Sequence, residues 1–314
     1  MKKHWLIVTL SLVLSLPSWA SSPPVFDIEI KTMDGSTTTV NQLLKTGPVY
    51  LKFWASWCKD CIQQMPHFQQ THDKYQGKLS VVALNIWNNE SIDEIQKVKD
   101  RFNLSMPMGI DYSGELTKAF NFVGTPYHLL IDSQGSVVYS GYEANAKLDE
   151  KIAFTTTGEL HSGSKNTDGF VTLFEEPPGE LDKNINALIA SDRVTALLFV
   201  ATFCDYYLED TRPKMSKNCI DVQNWVNESA KNNPDIQCHT IASRLWTGDK
   251  ELASYVKKYN IAMPAAVDTS NTLFKQFAIT EFPTLVFFRG GKELKRLTQL
   301  KTQAELNSLP TKPH

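Results

Sequence analysis

Strong charge of either sign is missing from this 314-residue chain, in which 32 Lys and Arg stand against 34 Asp and Glu for a formal balance of −2. Such a chain has no basic field to attract a polyanion, and no run of basic residues with interleaved aromatics supplies a local one, so nucleic acid is set aside as a partner. Long apolar runs are missing as well, except near the start. There "WLIVTLSLVLSL" follows Lys2 and Lys3, and it falls short of the roughly twenty apolar residues that cross a bilayer. Ser18-Trp19-Ala20 places small residues three and one positions before a cut, so residues 1–20 have the pattern of a cleaved secretory signal peptide. No cysteine follows that run to accept a lipid, and no stable membrane insertion is expected after cleavage. Cysteine is scarce: Cys58, Cys61, Cys204, Cys219 and Cys238 are the five. In an oxidising compartment each needs a structural or redox explanation, and an odd number leaves at least one free, paired with another molecule or held transiently.

The chain is too long for one core to be the expectation, and two domains are the better reading. After the leader, "PPVFDIEIKTMDGSTTTV" alternates about an Asp34-Gly35 turn and predicts a short hairpin. "VYLKFWA" at 49–55 and "LSVVALNIW" at 79–87 read as buried strands. Between them "CIQQMPHFQQTHDKYQ" carries apolar residues at helical spacing, and "SIDEIQKVKDRFN" at 91–103 opens with a Ser91/Glu94 capping box. "GELTKAFNF" predicts a short helix, and "YHLLID" with "SVVYSGY" a hairpin. This order describes a mixed sheet with helices on both faces, within an α/β fold. The polar stretch at 155–169 separates a first domain (21–154) from a second (170–314) that repeats the same order. "ALLFVATFC" aligns on "YLKFWASWC" without a gap, and "EFPTLVFFRGGKELKRL" matches "GTPYHLLIDSQGSVVYSG".

Cys58 and Cys61 sit at a strand-to-helix junction. A cysteine in the first turn of a helix faces unpaired N–H groups and the positive end of the helix dipole, which favours thiolate. Three positions on, the second cysteine shares its face and can resolve a mixed disulfide. The pattern therefore asks for Cys58 as nucleophile and Cys61 as resolving thiol. Zinc would need four ligands, usually a second Cys or His pair at similar spacing, and none is present. His67 and His72 would lie about 13 and 20 Å along a continuous helix from Cys58. A permanent staple closing so small a loop would remove little chain entropy.

"FWASWCKDC" together with "VGTPYHLLID" resembles the thioredoxin superfamily, and within it the TlpA/ResA-like thiol-disulfide oxidoreductases, over residues 24 to about 145. The resemblance implies two thioredoxin-like domains, each a central mixed sheet flanked by helices, the second degenerate. It implies a cis Pro126 beside the dithiol, a Thr125 backbone that pairs with an extended substrate segment, and Trp57 shielding the sulfur. It also implies a periplasmic enzyme that reduces disulfides of exported proteins, is kept reduced by a membrane thiol-disulfide electron donor and needs no cofactor or metal. A disulfide isomerase or oxidase, or a non-enzymatic copper-handling or chaperone module, remains the alternative. One departure stands out. Where thioredoxins bury a carboxylate, this chain has Lys52, which is expected to snorkel to the surface, with a cationic influence on the thiols as the other reading.

In the second half Cys204 takes the nucleophile position, while Tyr207 takes the resolving one. On one continuous helix Cys219 would be about 22 Å away, too far for a bridge. If the helix begins near Pro213, a Cys204–Cys219 bridge, structural or accessory to redox, comes within reach. Cys238 suits a buried core thiol. Phe203, Tyr206, Tyr207 and Phe282-Pro283 could line a groove for a partner or for the other half, or be a packing relic. His128 suits a strand face better than a metal.

Overall fold

The computed structural model describes residues 24–157 and 179–299, so the signal-like leader and residues 158–178 lie outside the described residues. The first region runs through a short hairpin, β1 (Ile30–Thr32) and β2 (Thr37–Thr38), then α1 (Val40–Leu44) and β3 (Val49–Trp54). Next come α2 (Lys59–Gln63), α3 (Met65–Lys74), β4 (Ser80–Asn85), α4 (Ile92–Arg101), β5 (Met108–Ile110) and α5 (Glu115–Ala119). The hairpin β6 (Tyr127–Ile131) and β7 (Val137–Gly141) and the helix α6 (Ala146–Thr157) complete it. Its seven strands are ordered β2-β1-β5-β4-β3-β6-β7. Every residue of β3 is buried because β3 is central and helices cover both faces.

The second region is a five-stranded version. It consists of α7 (Glu180–Ile189), β8 (Val194–Val200), α8 (Cys204–Tyr207), α9 (Pro213–Asn232), β9 (Ile236–Ser243), α10 (Asp249–Tyr259), β10 (Ala265–Asp268), α11 (Thr272–Gln276), β11 (Thr284–Arg289) and β12 (Lys292–Leu297). The strand order is β10-β9-β8-β11-β12. The central strand again runs parallel to the next strand in sequence and antiparallel to the strand after the short helix, as β3 does with β4 and β6.

Register turns this duplication into a residue-by-residue correspondence. Lys52 and Leu198, each six residues before the first cysteine of its half, pair with Ala83 and Thr240. Ala83 in turn pairs with Met108, and Thr240 with Ala265. The same displacement carries Pro126 onto Pro283, and the bonds preceding both prolines are cis. It therefore also carries Asn89 onto Trp246, Val123 onto Thr280, Lys118 onto Lys275 and Glu115 onto Thr272.

The contacts between the two halves come in matching pairs under this correspondence. Asn89 N–H donates to Thr280 O at 2.7 Å, and Trp246 N–H donates to Val123 O at 2.6 Å. Lys275 Nζ donates to Glu115 Oε1 at 2.9 Å, while Lys118 Nζ reaches Thr272 Oγ1 at 3.5 Å. Trp57 and Phe203, each just before a first cysteine, pack on each other with ring centroids 5.6 Å apart. Residue i meeting j while the counterpart of i meets the counterpart of j is the signature of an isologous, two-fold interface, here within one chain. The face that the fold places at the C-terminal end of each central strand is thus turned onto the other half.

Gly124 marks the closeness of this packing. A Cβ there would lie 2.4 Å from the Trp246 ring, so the position needs a hydrogen side chain for approach rather than for backbone freedom. Gly124→Ala is expected to push the indole of Trp246 outward and, with it, to break the bond from the Trp246 backbone N–H to Val123 O. The difference emission spectrum against Trp246→Phe should show a red shift, and an unshifted spectrum would contradict the close packing.

Candidate functional site

Chain geometry delivers Cys58 from the end of β3, through a turn in which Cys58 N–H bonds Ala55 O at 3.2 Å. Cys58 caps α2, its Sγ accepting the Cys61 N–H at 3.2 Å. Cys58 and Cys61 form a disulfide with Cα atoms 5.2 Å apart. Once the pair is reduced, the same N–H and the helix end favour negative charge on Cys58. Pro66 interrupts the predicted long helix, since α2 ends at Gln63 and α3 begins at Met65. His67 lies on α3 and pairs with Asp149 at 2.8 Å.

The residues around the sulfurs are tightly held. Trp57 is 4% exposed and donates its indole N–H to Asn88 O at 2.6 Å. Thr125 and the cis Pro126 end the loop before β6, with Thr125 buried. Ser56 donates both its backbone N–H and its hydroxyl to Glu90, and Asn85 adds a bond at 3.1 Å. Burial pushes the Glu90 carboxyl up, against the hydrogen bonds from Ser56.

Lys52 corrects the expectation from sequence. It does not snorkel. It is fully buried, with Nζ donating to the Cys61 carbonyl at 3.2 Å and lying 5.4 Å from the centre of the Phe68 ring. The cause is its place in a strand covered on both faces, which leaves its stem no route to solvent. Burial lowers its ammonium to about 7, so near neutral pH it both holds and releases a proton. Beside it His128 is also buried, between the Tyr50 hydroxyl at 2.6 Å and Gln64 Oε1 at 2.7 Å. Burial first, and then the Lys52 charge, hold this imidazole well below its ordinary value, so it stays neutral and structurally bonded.

In the second half Cys204 opens the one-turn helix α8, and Cys219 lies on α9. They form a disulfide with Cα atoms 6.3 Å apart, made possible by the fresh helix start at Pro213. Cys238 is a buried free thiol on β9, pushed up to about 11 by burial and so poorly nucleophilic. The aromatic groove suggested by the sequence is filled by the first domain. Phe203 packs on Trp57, and the Tyr207 hydroxyl accepts the Lys59 N–H at 3.0 Å. Asn89 bonds both backbone groups of Phe282, accepting its N–H at 2.7 Å and donating to its carbonyl at 3.0 Å. Tyr206 alone of the set is well exposed, at 61%.

Sequence reasoning missed the residues that close this face. Arg212, just before Pro213, donates to Asn89 O and to Ser56 Oγ, both at 2.7 Å, and pairs with Glu94 at 2.9 Å. Lys59 pairs with Asp210 at 3.1 Å. No local pattern marks these residues, because their partners are more than a hundred positions away. Behind these contacts Cys58 is only 2% exposed.

A dithiol that caps a helix after a buried central strand, with a cis proline opening the strand paired to it, defines a thioredoxin-like redox protein. The redoxin family model matches residues 20–156. The thioredoxin-like protein YneN of Bacillus subtilis is 30% identical over 129 residues, which is 40% of this chain and 75% of that protein. Thiol-disulfide oxidoreductase ResA of Geobacillus kaustophilus is 32% identical over 90 residues, 28% of this chain and 51% of that protein. The structure of StoA from Bacillus subtilis superposes with a TM-score of 0.35 and 23% identity, covering 40% of this chain and 92% of that one. The chain belongs to the thioredoxin-like proteins, and its first half matches the redoxin model. It spans three quarters of YneN and about half to three fifths of the ResA proteins.

Proposed function

We propose that this protein is an exported reductase that breaks disulfides in other exported proteins, in the periplasm, and is itself re-reduced by a membrane thiol-disulfide donor. The observation that supports it best is the Cys58 sulfur at the head of α2 with the Cys61 N–H directed at it. The signal-like pattern of residues 1–20 supports export, and no described helix is long and apolar enough to cross a membrane.

The exchange follows from the geometry. The Cys58 thiolate attacks one sulfur of a substrate disulfide, forming a mixed disulfide and expelling the other substrate sulfur as thiolate. Cys61, having lost its proton, then attacks Cys58 Sγ and expels the second substrate thiolate, leaving Cys58–Cys61 oxidised and the substrate with two more electrons. Lys52, whose Nζ bonds the Cys61 carbonyl and whose amine is partly neutral near pH 7, would be the group that takes that proton. Thr125 and Pro126 would present backbone to an extended substrate segment, and Trp57 an apolar wall. Because the second domain covers this face, an external protein reaches Cys58 only when the domains part.

The test uses reduced full-length protein and insulin. Wild type should reduce it, and Cys58→Ser should lose the reaction by about a thousandfold or more. A midpoint potential as oxidising as about −120 mV would overturn the reductase direction in favour of an oxidase.

A further inference from the structure

The two disulfides hold corresponding places in the duplicated fold, and the two-fold interface packs their surroundings together. Cys58 and Cys204 belong to one continuous buried cluster that also contains Trp57, Phe203 and Cys219. The turn after Cys58 is tied to the turn after Cys204 by the bond from Lys59 N–H to the Tyr207 hydroxyl and by the Lys59–Asp210 pair. Cys204 is fully buried and Cys219 is 6% exposed, so the pair is shut off from free thiols in solution. The residues flanking Cys204, Phe203 and Tyr207, meet Trp57 and Lys59, which flank Cys58.

We propose that Cys204–Cys219 is a second redox centre, reduced within the same chain by the Cys58–Cys61 dithiol. This rests on Cys58 being the attacking thiolate. Cys58 Sγ attacks Cys204 Sγ, breaking the Cys204–Cys219 bond, forming a Cys58–Cys204 bond and releasing Cys219 as thiolate, which takes up a proton. Cys61, deprotonated, then attacks Cys58 Sγ, re-forming Cys58–Cys61 and releasing Cys204 as thiolate. Two electrons move from the first pair to the second, and no other reagent is consumed. Tyr207 in the resolving position explains the arrangement, because the second domain draws its resolving sulfur from α9 instead.

The second domain is built to survive the open form. The α8–α9 junction is held without the bridge by Ser216 Oγ donating to Asp205 O at 2.8 Å and by Arg212 N–H donating to Leu208 O at 2.7 Å. The Asp205 carboxylate is fixed by Lys258 at 2.7 Å and by the Tyr259 hydroxyl. A sulfur pair serving only as a staple would not need to stand at the repeat's active position against the other active position.

Full-length Cys61→Ser protein provides the first test. With Cys58 as thiolate and the second disulfide intact, anaerobic incubation followed by alkylation and non-reducing peptide mapping should show Cys58 linked to Cys204 and Cys219 alkylated. In a second measurement, independent of that variant's folding, native oxidised protein receives one equivalent of a phosphine reductant. Cys219 alkylation should then exceed that in an identically treated Cys58→Ser chain by about tenfold. An intact Cys204–Cys219 bond in the first experiment together with equal Cys219 labelling in the second would overturn the proposal. An aromatic disulfide reagent separates the two layers. Rapid capture of Cys58 by it, with the second disulfide untouched, removes the internal relay and keeps the reductase reading. Sluggish Cys58 towards both disulfides removes the reading on which the relay rests.

Discussion

Lys52→Met is expected to make the oxidised protein more stable at pH 6, by a few kcal/mol in urea unfolding, and to flatten its stability between about pH 7 and 10. The buried ammonium has one acceptor shown, the Cys61 carbonyl, and an aromatic ring beyond it. Neither replaces the water it left. Burial lowers its value from 10.5 to about 7, so the folded form holds this proton less tightly than the unfolded chain does. Between those two values the unfolded chain therefore binds more protons, and native stability rises with pH across that window. Below about pH 7 both forms are protonated and the whole cost is present. Methionine fills similar volume without an ion to desolvate, so the variant gains most in acid and nearly nothing at the alkaline end. Keeping both disulfides oxidised removes their thiols from the titration, and Cys238, present in both proteins, cancels in the comparison.

The same substitution should slow release of the mixed disulfide, because Cys61 loses the amine placed to take its proton. The rate-versus-pH profile of the release step should lose its inflection near 7. A variant less stable than wild type at pH 6 would show that Lys52 is not a burdened ion, and an unchanged release profile would show that it is not the proton acceptor. Stability held below its maximum by a residue at the reaction centre is the expected mark of a group kept for chemistry.

Lys52 also shows where sequence reasoning runs out. Strand spans were legible because β3, β4 and β6 are largely apolar, and α4 was legible from its Ser91/Glu94 capping box, which is formed. The duplication was legible from two anchors, the first cysteines and the prolines. The Cys204–Cys219 bridge came into view through Pro213, since a proline in the first turn starts a helix and brings Cys219 back toward Cys204. Lysine burial was not legible. A lysine near the end of a strand looks the same whether its stem leads out or under a helix, and the deciding groups, Phe68 and the Cys61 carbonyl, belong to the helices that follow. The closure was hidden for the same reason in stronger form. Asn89 and Phe282 meet across 193 positions, and an asparagine in a loop carries no sign that it will clasp a distant backbone.

Arg212→Ala is expected to open that closure. The guanidinium, 18% exposed, is shared among the Asn89 carbonyl, the Ser56 hydroxyl and Glu94, with the Glu90 carboxylate at 3.9 Å and wholly out of water. Removing it leaves Glu90 with neutral donors from Ser56 and Asn85 and no cation. Breaking a buried pair from one side costs about 3–5 kcal/mol. Because Arg212 belongs to the second domain and its acceptors to the first, that cost falls on the closed arrangement rather than on either core. At 1.4 kcal/mol per tenfold it moves the closed-to-open ratio by about two to three and a half orders of magnitude. Reduced Cys58, covered in the closed form, should then react with a bulky maleimide far faster than in wild type, while each domain's hydrogen-exchange core stays protected. Arg212→Lys should restore little, because one ammonium cannot span acceptors that a planar fork reaches from both edges. Opening should also separate the two proposed activities. Insulin reduction should rise as the face is uncovered, and electron transfer to Cys219 should fall as Cys204 moves away. If both rates changed in the same direction, the second domain would be acting on the dithiol by some means other than covering it.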